Sequence, residues 1–130
     1  MSIGDRRKHL HNANVSGSTE AKALMEAARR LNDAREIVAQ DVEAYRTALR
    51  LNWRLWTIIQ CDVASAENAL PDELKANIVS LSIFVDRQTL DALSEPAASK
   101  LGTLIDINRN VAAGLSARRE SPVMPPAEAA

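Results

Sequence analysis

RLWTIIQCDVASAENALPDELKANIVSLSIFV, Arg54 to Val85, is the stretch whose reading decides the fold. RLWTIIQ closes one helix, DVASAENALP is a short polar connection, and DELKANIVSLSIFV opens a second helix that is apolar on nearly every side. Two helices joined this closely pack antiparallel as a hairpin. Pro71 suits a first helical turn, where a missing N–H costs nothing, and Asp72 and Glu73 sit at the positive end of the helix dipole. Leu74, Ile78, Leu81 and Val85 form one face of this third helix, while Val79, Ile83 and Phe84 cover much of the rest. That pattern predicts a helix buried in the middle of a bundle.

Working outward toward the N-terminus, Tyr45, Leu49, Trp56 and Ile59 make the stripe of a second helix from about Val42 to Cys61, widened by Leu55 and Ile58, with Trp53 off it. A first helix is expected from an N-cap at Ser18 or Thr19, burying Leu24, Ala28 and Leu31. Its stripe continues through Val38, so one long helix is an option. A break near Gln40 and Asp41 is preferred, because Asp41 can cap a new helix and an unbroken run to Cys61 exceeds ordinary globular length. Toward the C-terminus, Ser94, Glu95 and Pro96 stop helix three. From Ser99 the residues Leu101, Leu104, Ile105, Asn108, Val111 or Ala112, and Leu115 recur at helical spacing, with Gly114 read as the helix end. The expected fold is therefore all-α, a small bundle of about four helices over residues 18–115. A flexible N-terminal arm (1–17) and a disordered C-terminal tail (116–130) holding three of the five prolines flank it.

Composition agrees. A chain of 130 residues has room for one core, and aromatics at 3% with only four glycines lack the turn chemistry of an all-β domain. Sixteen basic and seventeen acidic residues leave a net charge of −1, with no overall pull toward phosphate backbones or acidic membranes. The single Cys61 is expected to be a reduced, partly buried thiol, in keeping with the cytoplasm. The basic N-terminus leads into polar residues rather than an apolar signal core, and Ile78 to Val85 is far shorter than the ~20 residues of a membrane span.

No catalytic constellation can be assembled. The serines lack a nucleophile-elbow context, there is no Gly-rich phosphate loop, and His9 and His11 on the arm fall short of a metal site, so neither enzyme activity, cofactor nor metal is expected. Asn108 lies inside the apolar stripe of helix four, where a buried amide must find partners. It either clamps the fold internally, the commoner case, or holds a partner's backbone; Asn52 in helix two carries the same two readings. Trp56 continues the core stripe, whereas Trp53 is placed to be exposed and to contact a partner.

Several dispersed pieces resemble one family. Asn52 followed by Leu55-Trp56-Thr57, then ENALPDEL (Glu67 to Leu74), then an Ile/Val/Leu-rich helix, then LIDINRNVAAGL (Leu104 to Leu115) is similar to FlaF, the flagellar biosynthesis regulator of alpha-proteobacteria, over roughly Ser18 to Leu115. The resemblance implies a cytoplasmic factor that binds newly made flagellin, promotes its synthesis and secretion, and works opposite the FlbT regulator. Its candidate partner-binding residues are Asn52, Trp53, Leu55, Trp56, Leu70, Pro71, Leu74 and Asn108, with the groove between helices two and three as the expected site. The alternative is a post-transcriptional regulator acting on flagellin mRNA, directly or with FlbT, although the interleaved charges supply no basic cluster for RNA.

Overall fold

The computed structural model describes residues 3–120, with side chains over residues 19–117. Four helices account for almost all of it: α1 (Ile3–Glu36), α2 (Val42–Ala64), α3 (Asp72–Ser94) and α4 (Gly102–Glu120), with a short 3-10 turn (Ala98–Lys100) before α4. No strand occurs among the described residues.

The break between α1 and α2 falls at Asp41, whose carboxylate accepts the Ala44 N–H at 3.0 Å and so satisfies one of the free donors of the new helix. Pro71 is the N-cap residue of α3, one position earlier than a first-turn proline, with extended backbone (φ −61°, ψ 150°). Pro96 follows the end of α3. Between α2 and α3, Asn68 works at both ends of its amide: Nδ2 donates to Asp62 (3.1 Å) and Oδ1 accepts the Leu70 N–H (2.9 Å). The polar connection is thus a side-chain-stapled turn.

The chain runs up and down. Tyr45 on α2 meets Ala92 on α3, and Trp53 meets Asp86, which sets those two helices antiparallel. α1 and α4 share the most extensive interface, α2 packs on both α1 and α3, and α3 barely touches α4. The core is one cluster: Leu24, Ala28 and Leu31 from α1, Tyr45, Leu49, Trp56 and Ile59 from α2, Ile78 and Val85 from α3, Leu101 at the end of the 3-10 turn, and Leu104, Ile105, Val111, Ala112 and Leu115 from α4. The stripes read for α1, α2 and α4 are those that become buried.

Four expectations are corrected. First, α1 begins at Ile3 rather than at Ser18 or Thr19, so the backbone of residues 3–17 is helical; no proline precedes Pro71 to prevent it. Residues 1–2 and the side chains of His9 and His11 lie outside the described residues. Second, α4 passes through Gly114 and reaches Glu120. Gly114 has no left-handed backbone and only open space where a Cβ would stand, so it is an exposed interior glycine instead of a terminator. The tail beyond Glu120 lies outside the described residues.

Third, α3 is peripheral instead of central. Its buried face is Ile78, Ser82, Val85, Thr89 and Ala92, only partly apolar, while Ile83, Phe84 and Leu90 are exposed and Leu81 is half-buried. Fourth, Cys61 and Ile58 are exposed, because both fall on the far side of α2 from its buried stripe.

The peripheral placement of α3 fixes an order of costs. Leu104→Ala and Ile78→Ala remove fully buried side chains and are expected to lower stability by ~2–4 kcal/mol each, with Leu81→Ala nearer ~1 kcal/mol. Urea unfolding midpoints at constant m-value measure all three. A Leu81 cost equal to that of Leu104 would return α3's flank to the core.

Candidate functional site

Three of the eight candidate residues meet at one point inside the bundle. Asn108 on α4 accepts from Trp56 Nε1 (2.8 Å), donates through Nδ2 to Asn52 Oδ1 (2.7 Å), and donates again to the Leu24 carbonyl of α1 (3.2 Å). Asn52 and Asn108 are fully buried and Trp56 nearly so. Both donor positions and the carbonyl oxygen of Asn108 are engaged inside the protein, so it is a clamp of the fold. Asn52 Nδ2 and Thr89 Oγ1 are buried without a protein hydrogen-bond partner.

The other candidates are dispersed. Leu55, Leu70 and Leu74 are half-buried and pack on the core, and Pro71 is exposed at the head of α3. Trp53 stands at the rim of the α2–α3 seam, half-buried, with its indole N–H on Asp86 Oδ1 at 2.8 Å. It is the one candidate aromatic that reaches solvent. Ile83 and Leu90 on α3, one turn to either side of Asp86, are exposed where a buried helix was expected: a helix apolar on all sides reads as buried, and periodicity does not say which face the core will take.

A carboxyl pair also went unread. Glu20 on α1 hydrogen-bonds Asp62 near the end of α2, and burial, followed by that bond and the charge of Asp62, pushes the Glu20 carboxyl up to about 7. On the surface of α1 the opposite holds: hydrogen bonds from Arg29, then Arg30, hold exposed Glu26 at about 2. A shallow depression of about 510 Å³ lies between α1 and α4, lined by Ala21, Lys22, Met25, Glu26, Arg29 and Ser116. Among the described residues no group of His, Cys, Asp or Glu could hold a metal, and no helix is long and apolar enough to cross a membrane.

Two outcomes follow from this geometry. Trp56→Phe keeps an aromatic ring but removes the indole N–H and strands the Asn108 carbonyl oxygen, and is expected to cost ~1–3 kcal/mol. With Asn108→Ala it should show a coupling of ~1 kcal/mol or more in a double-mutant cycle of urea melts, where simple additivity would dissolve the clamp. For Glu20, the folded chain holds the proton more tightly than the unfolded chain, whose ordinary value is 4.5. Its contribution is full below that value and is lost as pH rises through about 7. Stability of the native protein should therefore fall across that window, and Glu20→Gln should flatten the fall; an unchanged slope in the variant would assign the pH dependence elsewhere. Glu26 acts only below its ordinary range and leaves this window untouched.

No curated protein and no solved structure matches this chain. Its sequence does match the family described as flagellar protein FlaF, over residues 7–115. That span takes in α2 and α3 whole, together with most of α1 and of α4. Asn52, Trp56 and Asn108, which lie within the pieces that carried the resemblance, are the residues brought together in the buried clamp. The chain belongs to the FlaF family of flagellar proteins.

Proposed function

We propose that this protein binds flagellin in the cytoplasm and promotes its synthesis and secretion, acting as an export chaperone and in functional opposition to FlbT. Membership of the flagellar family supports the flagellar setting. The observation that carries the binding role is the outer flank of the α2–α3 hairpin, where large apolar side chains stay in solvent while the buried face of α3 holds Ser82, Thr89 and Ala92. A chain that turns Ile83 and Leu90 outward beside a half-exposed tryptophan has a surface suited to an apolar partner. Flagellin meets that description if its polymerisation segments are amphipathic helices that must be covered before export, the helix-in-groove mode of recognition.

The role requires no metal, nucleotide or other cofactor. Mixing the purified protein with flagellin should give a complex on size-exclusion chromatography at micromolar concentration, unchanged by chelator. Absence of a complex with every flagellin of the organism, together with recovery of flagellin mRNA on the immobilised protein, would replace this reading with the mRNA-regulator one.

A further inference from the structure

The outer flank of the hairpin has a definite charge pattern as well as an apolar stripe. The Trp53–Asp86 hydrogen bond marks where α2 and α3 meet on that side. Ile83 lies one turn before Asp86 and Leu90 one turn after it, 48% and 53% exposed, so they flank the indole along the seam. Arg50 lies one turn before Trp53 on α2, and Arg87 sits between Ile83 and Leu90 on α3. Both arginines are exposed, and neither has an ion-pair partner among the described residues. The nearby acids are already engaged: Asp86 by Trp53, Asp91 and Glu95 by Lys100, and Glu43 by Arg46. What is left on this face is an apolar stripe, with the Asp86 carboxylate held by the indole at its inner edge and the unpaired guanidinium groups of Arg50 and Arg87 along its border.

We propose that the Trp53–Ile83–Leu90 stripe, framed by Arg50 and Arg87, is the partner site, and that it takes an amphipathic helix whose apolar face is flanked by acidic side chains. The occupant is assigned by charge complementarity: unpaired guanidinium groups beside a partly desolvated apolar strip favour carboxylates on the rim of the incoming helix and disfavour lysine or arginine there. Identifying that helix as a segment of flagellin rests on the function proposed above. The other exposed large apolar residues of α2, Leu51 and Ile58, lie about 160° and about 140° around the helix from Trp53 and belong to a different flank.

Titration of the full chain with flagellin, with folding checked by circular dichroism, tests the site. Ile83→Ser and Leu90→Ser should each weaken binding ~tenfold or more, as loss of a central interface anchor does. Arg50→Gln with Arg87→Gln should weaken it and remove its sensitivity to salt, while Ile58→Ser binds as the native protein does. If the native protein binds flagellin and all these variants bind equally, the site is wrong and the flagellin reading stands. If the native protein does not bind flagellin, that reading falls and the site is decided by Trp53 fluorescence, since Trp56 is buried. The probes are two amphipathic helical peptides with one apolar face, flanked by Glu in one and by Lys in the other. A blue shift with the Glu peptide that Ile83→Ser removes supports the site; an equal response to both peptides, or none to either, overturns it.

Discussion

The amide of Asn108 is the constraint on which the rest of the arrangement depends. It joins α4 to α2 through Asn52 and Trp56 and to α1 through the Leu24 carbonyl, so one side chain fixes three helices in register. Aliphatic stripes alone do not do this. Leucine and alanine ridges can slide by a turn with modest loss, whereas a slip here would bury several unpaired polar atoms at ~1–3 kcal/mol each. The extensive α1–α4 interface is consequently fixed in one register by a polar contact at its centre.

α3 stands outside that constraint. Polar contacts tie it to its neighbours at several levels: the Tyr45 hydroxyl donates to the Ala92 carbonyl and accepts the Ala97 N–H, Trp53 bonds Asp86, and Gln88 reaches the Lys100 carbonyl. Its buried face contributes little apolar volume, and Ser82 turns its hydroxyl back onto the Val79 carbonyl of its own helix. Ile83, Phe84 and Leu90 face solvent in consequence. An element fastened by directional bonds and lightly packed keeps its orientation while leaving apolar surface available, which is a suitable construction for a recognition face.

Where the sequence could be read, the signals were redundant. The spacing from Leu101 to Leu115 placed the inward face of α4 correctly because apolar and polar residues alternate there at a helical period, and Asp41 marked a helix start because a carboxylate at an N-cap has few other uses. α3 failed for a physical reason: with apolar residues on all faces its periodicity is silent, and the face turned inward combines Ile78 and Val85 with Ser82, Thr89 and Ala92. Gly114 misled because a glycine near a helix end and one inside a helix look alike until the backbone is known. Glu20 and Asp62, distant in sequence, gave no local sign that they would lie side by side, where burial and the neighbouring carboxyl raise Glu20.

The clamp also bears on where function is to be sought. Asn52, Trp56 and Asn108 lie in the sequence pieces that mark the family, yet solvent scarcely reaches any of them, so no partner can touch these side chains while the bundle is folded. Changes at these positions act on binding through the positions of the helices. A residue that distinguishes one partner from another must present atoms to solvent, and on the α2–α3 flank those are Trp53, Ile83, Leu90 and the arginines beside them. The pieces of sequence that carry the family resemblance thus hold the helices together: Asn52 and Trp56 on the inward face of α2 meet Asn108 on α4, and none of the three lies on the exposed α2–α3 flank.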